Sequence, residues 1–407
     1  MYSELLKKLF ISSNPEVRGK AILRVDMNVP LRDGKPVRES LKFDVAARRI
    51  DEYTEKDVIP IIITHQGRKG EDDYLESLEN HAKILKKYLK KTDLEYLDGL
   101  TEEKVERSIK KLKNGEALLL KNVRSSDEEK RKFYSFEEIK KAKLAKLAKL
   151  VDLYINDAPA AWHRDHFSLT KYPLLLPKRS YLGYQFEEEL RILEKLLSLL
   201  KKGEKVAIVF GGKKWEKLNY IRGILKYRNV RAFIGGIPGI SFAYLKKKKI
   251  GKKNFELIKK TIEDSKLLYK ELKEKITFPS DFKLEDGEEI KIDELGKEES
   301  LIMDIGTETF NIYSEKLAEY PIVIFAGPLG AYDKGFRRTV GIIVAILLNG
   351  SKVYILGGHS SDILKDTYIE KVLPKVNGIM FTGGGSHLAF LAGEKLPVIE
   401  TYLSLKR

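Results

Sequence analysis

The chain of 407 residues contains no cysteine, which excludes a disulfide scaffold, a thiolate metal site and a cysteine nucleophile. It also lacks any apolar run near the roughly 18 residues that a membrane-spanning helix needs. The N-terminal segment MYSELLKKLF carries charges within its short apolar stretch, unlike a signal peptide. We therefore expect a cytoplasmic protein that does not act at a membrane.

Positive charge is in excess, because 76 Lys plus Arg face 60 Asp plus Glu and give a formal net charge of +16. This excess is compatible with nucleic-acid binding, with binding of small phosphorylated ligands, or with a general lysine-rich surface. Abundant Lys and Glu with only 4 Met are typical of proteins from thermophiles. The length and the 43% hydrophobic content favour two or three folded domains.

Short apolar segments alternate with charged segments of helical spacing along most of the chain. Examples of the first are AILRVDMNV, VIPIIIT and KVYILGG, and an example of the second is YLESLENHAKILKKYLKK. This alternation predicts an α/β fold with two Rossmann-like parallel-sheet domains joined by a hinge helix. We place the N-terminal domain at 1–175, the linker, hinge helix and second domain at 176–389, and a tail at 390–407.

In the second half, five predicted strands end in glycine-rich sequence, namely VFGGKK, FIGGIPG, FAGPLG, LGGHSS and FTGGGS. Backbone N–H groups in such turns can approach an anion, and open α/β sheets bind ligands at the carboxyl ends of their strands. None of the five matches the dinucleotide or P-loop motif, so they predict a nucleotide site of another design. Lys213 or Lys214 could reach a phosphoryl group there, or either could be a surface lysine.

In the first half, four predicted strands end in cationic and polar residues. The residues are Arg24, Asp26, Asn28, His65, Arg68, Asn122, Arg124, Asn156, Asp157, His163, Arg164 and His166. Clustered arginine and histidine suit a small substrate that carries phosphate or carboxylate. Asp26 could orient the basic side chains or contact the substrate. A zinc pair at His163 and His166 lacks a third ligand cluster, so anion binding accounts for them better.

These segments resemble the signatures of the phosphoglycerate kinase family. RVDMNVPL is similar to RVDFNVPL, THQGR to SHLGR, YINDAPAAWHRDHFS to YVNDAFGTAHRAHAS, and FTGGGSHLAFLAGEKLPVI to STGGGASLEFLEGKELPGV. The motifs follow the family order from residue 23 to 398. The resemblance implies that 3-phosphoglycerate binds the N-terminal lobe and that ATP or ADP binds the C-terminal lobe with Mg²⁺. It also implies domain closure about the hinge and a C-terminal tail that packs back on the first lobe.

The resemblance further implies reversible phosphoryl transfer between 1,3-bisphosphoglycerate and ADP. It assigns substrate binding to Asp26, Asn28, His65, Arg68, Arg124 and Arg164. It assigns catalysis to Lys214, Arg164, Lys42, Gly384 and Gly385, with Gly383 beside them. It assigns nucleotide binding to Gly211, Gly212, Lys214, Gly235, Gly236, Pro328, Asp333, Gly357, Gly358, His359 and Ser360. The metal ligands are unknown, and Asp362 is the one candidate.

Several positions depart from the family pattern, among them NDAPAAW, which lacks the Phe-Gly of NDAFG, and His359 at the aspartate position of GGGDT. Lys42 replaces a catalytic arginine, Ala326 an asparagine, Asp333 a glutamate, and Leu218 the second lysine of GGAKVSDK. These departures leave two alternatives open: a catalytically weak member with a binding or regulatory role, and a kinase for another small phosphorylated acid. A nucleic-acid-binding protein is a third, although the chain lacks its usual motifs. We expect a monomer or homodimer that binds no nucleic acid.

Overall fold

The structure is a computed structural model that describes residues 1–213, 217–247, 249–296, 300–357, 363–364, 367 and 369–405. The chain divides into two compact units. The first unit contains Met1–Glu194 and Lys395–Arg407, and the second contains Lys195–Glu394. No helix in the described part of the chain is both long enough and apolar enough to span a membrane.

The secondary structure alternates between strands and helices. The strands are β1 Gly19–Val25, β2 Leu31–Arg32, β3 Lys35–Pro36, β4 Val58–Ile63, β5 Asp93–Leu97, β6 Glu116–Leu120, β7 Leu153–Asp157, β8 Ser180–Leu182, β9 Val206–Phe210, β10 Val230–Ile234, β11 Ile276–Thr277, β12 Asp281–Leu284, β13 Glu289–Lys291, β14 Ile302–Ile305, β15 Ile322–Phe325, β16 Lys352–Ile355 and β17 Gly378–Met380. The helices are α1 Tyr2–Leu5, α2 Leu41–Thr54, α3 Glu79–Tyr88, α4 Glu103–Lys111, α5 Phe136–Lys141, α6 Ala145–Ala148, α7 Tyr172–Leu175, α8 Tyr184–Lys202, α9 Leu218–Ile224, α10 Gly236–Lys247, α11 Lys252–Ile258, α12 Ile262–Leu272, α13 Thr307–Leu317, α14 Arg338–Leu348, α15 Ile369–Val372, α16 Gly385–Leu391 and α17 Pro397–Ser404.

The first unit is built on a six-stranded sheet of order β5-β6-β4-β1-β7-β8, in which all neighbouring strands are parallel. Every residue of β4 is buried, as expected for an apolar strand covered on both faces. Helix α17 also belongs to this unit, where the N–H of Val398 donates to the carbonyl of Trp162 at 3.2 Å and the Tyr402 hydroxyl donates to the carbonyl of Tyr181 at 3.0 Å.

The second unit contains a parallel sheet of order β11-β10-β9-β15-β16-β17 and a separate antiparallel sheet of order β13-β12-β14. The segment LIMDIG, which fits the pattern of a strand in the parallel sheet, forms β14 of the antiparallel sheet instead. Its Ile302 packs with Phe282 and Leu284 of β12 in a core that also contains residues of α10 and α11. Tertiary packing therefore selects the partner sheet of this strand.

The predicted fold class is confirmed, because each unit carries a parallel sheet between α-helices. Helix α8 runs from the first unit into the second, since the division falls between Glu194 and Lys195. Its apolar residues Leu190, Leu193, Leu196 and Leu200 recur at helical spacing, and all four are buried.

Candidate active site

The cationic cluster of the first unit lies at one edge of its sheet. The strands β6, β4, β1 and β7 are adjacent and parallel, so their carboxyl ends meet at the same edge. Residues that are far apart in sequence come together there. Burial, and then the charges of Arg124, Arg24, Lys42 and Arg164, hold the pKa of His65 well below its ordinary value. His65 is therefore neutral at physiological pH and lies within a group of cations.

Asp26 and Lys42 form a buried ion pair in this cluster. The Lys42 ammonium donates to Asp26 Oδ2 at 2.6 Å and to the carbonyl of Asn28 at 2.9 Å. Burial would raise the pKa of Asp26, but the Lys42 charge and hydrogen bond outweigh it and lower that pKa. Asn28 Oδ1 in turn accepts from the N–H of Gly67, where the chain turns with φ of +64°. The loops after β1 and β4 are thus joined by polar contacts.

Arg124 follows β6 and is almost fully buried. Its Nη1 donates to the carbonyl of Gly67, whereas its Nε is buried without a hydrogen-bond partner among the described residues. Burial and the charges of Arg164 and Arg24 lower the pKa of Arg124 to about 10. A buried guanidinium that lacks one partner and is repelled by neighbouring cations is suited to an incoming anion.

The other predicted substrate residues of the first unit differ in exposure. Arg68 is about half-exposed and pairs with Glu71 at 3.4 Å. Arg164 is partly buried, and its charge acts on His65, Arg124 and His166. Arg164 thus lies with the cluster, whereas the guanidinium of Arg68 is held at the surface.

Glu129, Ser168 and Lys130 are neighbours of the cluster that the sequence motifs did not single out. Glu129 is completely buried and accepts from both the N–H and the hydroxyl of Ser168. Lys130 is exposed, and the pKa of its amine is lowered by partial burial and by the charges of Arg124, Arg68 and Arg164. The sequence places Glu129 five residues after Arg124 in a charged loop, which is a weak indication that it lies near the cluster. The local sequence does not distinguish Glu129 from Glu128.

In the second unit, the five glycine-rich turns follow β10, β9, β15, β16 and β17, which are consecutive strands of its parallel sheet. Two of the turns pack backbone against backbone, because a β-carbon on Gly211 would lie 2.1 Å from the carbonyl oxygen of Pro328. Gly236 adopts φ of +52°, and its N–H donates to the carbonyl of Leu329 at 2.7 Å. Gly235 continues β10 through an N–H bond to the carbonyl of Phe210 at 3.0 Å.

The turns after β16 and β17 also touch. A β-carbon on Gly357 would lie 3.0 Å from the α-carbon of Gly384. The Lys217 ammonium lies 3.5 Å from the position of a β-carbon on Gly384, so it adds a cation to this edge. The motif comparison placed the missing second lysine at Leu218, which is buried in the core. Lys217, one residue earlier, lies beside the glycine turns instead.

The remaining nucleotide-side positions vary in setting. Ala326 is fully buried, and its N–H donates to the carbonyl of Val209 at 2.9 Å. Asp333 is exposed in a short helical turn, and Gly212 adopts φ of +81° directly after β9. Gly385 begins α16 with open space around it. Lys214, Gly358, His359, Ser360 and Asp362 lie outside the described residues.

These features define a two-unit α/β protein with buried cations at the sheet edge of one unit and glycine-lined strand ends in the other. The comparison with protein families identifies it further: the sequence profile of phosphoglycerate kinase matches residues 13–394. The chain therefore belongs to the phosphoglycerate kinase family, which consists of phosphotransferases.

Individual relatives agree with this assignment. The chain is 35% identical over 395 residues to the phosphoglycerate kinase of Sulfurisphaera tokodaii, with 94% of this chain and 92% of the relative covered. It is 31% identical to the phosphoglycerate kinase of Methanopyrus kandleri, with 94% of each covered. The crystal structure of phosphoglycerate kinase from Pyrococcus horikoshii OT3 superposes with a TM-score of 0.83 at 29% identity, and the match covers 98% of both chains.

Proposed function

We propose that this chain catalyses the reversible transfer of a phosphoryl group from 1,3-bisphosphoglycerate to ADP, giving 3-phosphoglycerate and ATP in glycolysis and gluconeogenesis. The observation that carries the proposal is the cluster of buried Arg124, Lys42 and neutral His65 with partly buried Arg164 at the sheet edge of the first unit. Membership of the phosphoglycerate kinase family supplies the substrate class.

The cations of the cluster bind and orient the glycerate substrate. Arg124 has a buried Nε without a protein partner in the described part of the chain, and we propose that this group donates to a phosphate or carboxylate oxygen. Lys42 offers a point charge held by Asp26, where an arginine would offer a bidentate fork. Phosphoryl transfer has a loose transition state, so alignment and charge neutralisation supply most of the catalysis.

The second unit is proposed to bind ATP or ADP along its glycine turns. Because Gly211, Gly357 and Gly384 have no side chains, the turns that carry them pack closely against neighbouring backbone. We propose that backbone N–H groups at this edge of the sheet approach the nucleotide phosphates. Lys214 is proposed to contact the transferring phosphoryl group, and Lys217 stands beside Gly384 at the same edge of the sheet. Domain closure, implied by the resemblance, stays a prediction.

Mg²⁺ is proposed as the companion of the nucleotide phosphates. In the part of the chain that the structure describes, no group of three His, Asp or Glu side chains could hold a metal ion. Mg²⁺ commonly binds through substrate phosphates and one or two carboxylates, so such a group is not a requirement. No described residue is assigned to the ion, and Asp362 stays the one candidate.

We also propose a cytoplasmic protein from a thermophilic archaeon, a monomer or homodimer without nucleic-acid or membrane partners. The proposal is supported by the Lys- and Glu-rich composition without cysteine and by the archaeal relatives. Size-exclusion chromatography with light scattering measures the oligomeric state, and a titration with duplex DNA across salt concentrations tests nucleic-acid binding.

The function is tested by a coupled assay that follows ADP formation from 3-phosphoglycerate, ATP and Mg²⁺ at raised temperature. We expect turnover in the wild-type chain and a loss of about 100-fold or more in kcat/KM for Arg124→Ala and Lys214→Ala, since each removes a charge that faces the phosphates. Arg131→Ala is the matched control, because Arg131 is an exposed arginine that lies 3.8 Å from Glu138 and 5.1 Å above the Phe133 ring. Absence of wild-type turnover would contradict the proposed reaction. Near-normal rates in both active-site variants would contradict the residue assignment.

A further inference from the structure

Glu129 is a completely buried carboxylate to which the proposed reaction gives no role. It lies in a short helical turn, Asp127–Glu129, beyond the end of β6. Its Oε2 accepts from the N–H of Ser168 at 2.8 Å, and its Oε1 accepts from the Ser168 hydroxyl at 2.6 Å. His166 Nδ1 lies 3.7 Å from the same Oε1. Burial raises the pKa of Glu129, whereas the charge of Arg24 and the two bonds from Ser168 oppose that rise and favour the carboxylate.

The Ser168 hydroxyl connects Glu129 to Arg24. A hydroxyl has one proton to donate, and here that proton goes to the Glu129 carboxylate. The lone pairs of the same oxygen are then left to accept, and Arg24 Nε donates to them at 3.1 Å. The backbone of Ser168 is fixed as well, because its carbonyl accepts from the Tyr154 hydroxyl at 2.6 Å. Glu129 therefore orients the Ser168 hydroxyl so that its lone pairs accept the hydrogen bond from Arg24.

Arg24 connects this serine to His65. Arg24 is only 1% exposed, and its Nη1 donates to the carbonyl of Val25. Its Nη2 lies 2.8 Å from His65 Nδ1. A guanidinium has donors only, so His65 Nδ1 must be the acceptor and must carry no proton. In a neutral imidazole the single proton then resides on Nε2.

We propose that Glu129 is a positioning residue that acts through Ser168 and Arg24 to hold His65 as the neutral tautomer protonated on Nε2. His65 then offers an N–H donor to an oxygen of the anionic substrate, while Arg24 donates to Ser168, to the carbonyl of Val25 and to His65. The identity of that substrate rests on the proposed function, but the tautomer and its control by Glu129 do not.

A simpler role for Glu129 makes the opposite kinetic prediction. If the carboxylate only offsets the charges of Arg24 and Arg124, its neutralisation makes the site more positive and tightens the binding of an anion. If it positions His65, its loss weakens binding, because the donor on Nε2 is no longer assured. The sign of the change in KM for 3-phosphoglycerate therefore separates the two roles.

The tautomer is measured directly by ¹⁵N NMR of the full-length chain labelled at histidine, with His65→Gln used to assign the signals among the 6 histidines. We expect wild-type His65 to carry its proton on Nε2, and we expect Glu129→Gln and Ser168→Ala to show a mixture of tautomers. Ser168→Ala leaves the carboxylate in place and keeps its bond from the residue 168 N–H, so it tests the connection without changing the charge.

Glu128→Gln is the matched control. Glu128 is the adjacent carboxylate and also accepts two hydrogen bonds, from the backbone N–H groups of Lys143 and Leu144 at 3.0 Å each, but it has no bond to Ser168 or Arg24 among the described residues. We expect it to leave the His65 tautomer and the KM for 3-phosphoglycerate unchanged. In contrast, Glu129→Gln and Ser168→Ala should raise that KM about tenfold, the size expected for a lost hydrogen bond with a charged partner, with the KM for ATP unchanged.

Three results would overturn the proposal: a wild-type His65 protonated on Nδ1, an unaltered Nε2 tautomer in both variants, or a KM for 3-phosphoglycerate that falls in Glu129→Gln. If the wild-type chain turns over no 3-phosphoglycerate but the variants change the tautomer, the proposed function fails and the positioning role of Glu129 stands.

Discussion

Lys42, for which the resemblance to the family predicts an arginine, forms a buried ion pair. Lys42 is 8% exposed, and its ammonium reaches both Asp26 and the carbonyl of Asn28. A lysine donates along separate directions, whereas an arginine presents a planar fork. The two acceptors around Lys42 therefore suit an ammonium, and the same contacts fix the loop that carries Asn28.

Lys42→Ala should lower the free energy of unfolding by about 3–5 kcal/mol, because it leaves the Asp26 carboxylate buried without its partner. Urea denaturation at pH 7 measures this. Lys83→Ala is the matched control, since Lys83 pairs with Glu79 at a similar 2.7 Å but both side chains are exposed, and we expect it to cost less than about 1 kcal/mol. Equal losses of unfolding free energy in the two variants would show that burial does not increase the contribution of the Asp26–Lys42 pair to stability.

Among the elements, the turn after β9 is tightly constrained by its neighbours. The backbone of Gly211 packs against Pro328, and a β-carbon on Gly327 would lie 2.3 Å from the Gly211 carbonyl oxygen. Gly327 also adopts φ of +138°, which side-chain-bearing residues rarely adopt. The turns after β9 and β15 thus approach each other as bare backbone, at the edge where we propose nucleotide binding.

Gly211→Ala should force these two turns apart, because the added methyl meets a carbonyl oxygen at 2.1 Å. We expect a loss of about 1–3 kcal/mol in unfolding free energy, as for other overpacked sites, together with a higher Kd for ATP by calorimetry. Gly296→Ala is the control for stability, because its methyl would lie in ordinary contact with Lys249, 3.7 Å from Cβ and 3.8 Å from Cδ. A Gly211→Ala chain as stable as the Gly296→Ala chain would contradict the close packing.

The sequence pattern located most strands but misjudged or missed several. β5, with sequence DLEYL, lies at one end of the first sheet and alternates between exposed and buried positions, so it has no continuous apolar run. β14 has the apolar run of a parallel strand, yet it pairs antiparallel with β12. Periodicity reports how much of a strand is buried, but it does not report which strand lies beside it.

At the scale of the whole molecule, the dependence of stability on pH is a balance of buried groups with opposite effects. Burial lowers the pKa of His81 to about 4, and burial with the charges of Arg124, Arg164 and Arg24 lowers that of His166 to about 3. Burial raises the pKa of Asp157 and of Asp304 to about 6. The two histidines contribute stability that is lost as the pH falls below 6.5, the ordinary pKa of histidine. The two aspartates contribute stability that is lost as the pH rises through about 6.

The free energy of unfolding of His166→Gln, relative to that of the wild-type chain, should therefore be higher at pH 5 than at pH 8. The reason is that only the wild-type chain must keep this histidine neutral in acid. For Asp157→Asn, the free energy of unfolding relative to the wild-type chain should be higher at pH 8 than at pH 5. At pH 8 only the wild-type chain must bury a charged carboxylate at this position. Urea denaturation of the three chains at both pH values measures the two differences. Differences that do not change with pH would show that these groups titrate alike in the folded and unfolded states.

The sequence by itself determined the alternation of strands and helices, and it located the cationic and glycine-rich residues at strand ends. These features are local: burial sets the spacing of apolar residues, and in a parallel sheet every strand delivers its carboxyl end to one edge. The position of His65 and Arg124 in a common cluster follows from that rule once their strands are neighbours.

Only the tertiary structure decided which of these residues touch. Arg24 and Ser168 are separated by 144 positions, and nothing in either local sequence indicates their hydrogen bond or the buried Glu129 behind it. In the same way, it is the packing of Leu218 into the core that leaves Lys217 beside Gly384. Hydrogen bonds between distant segments depend on strand order and helix rotation, and long-range packing fixes both.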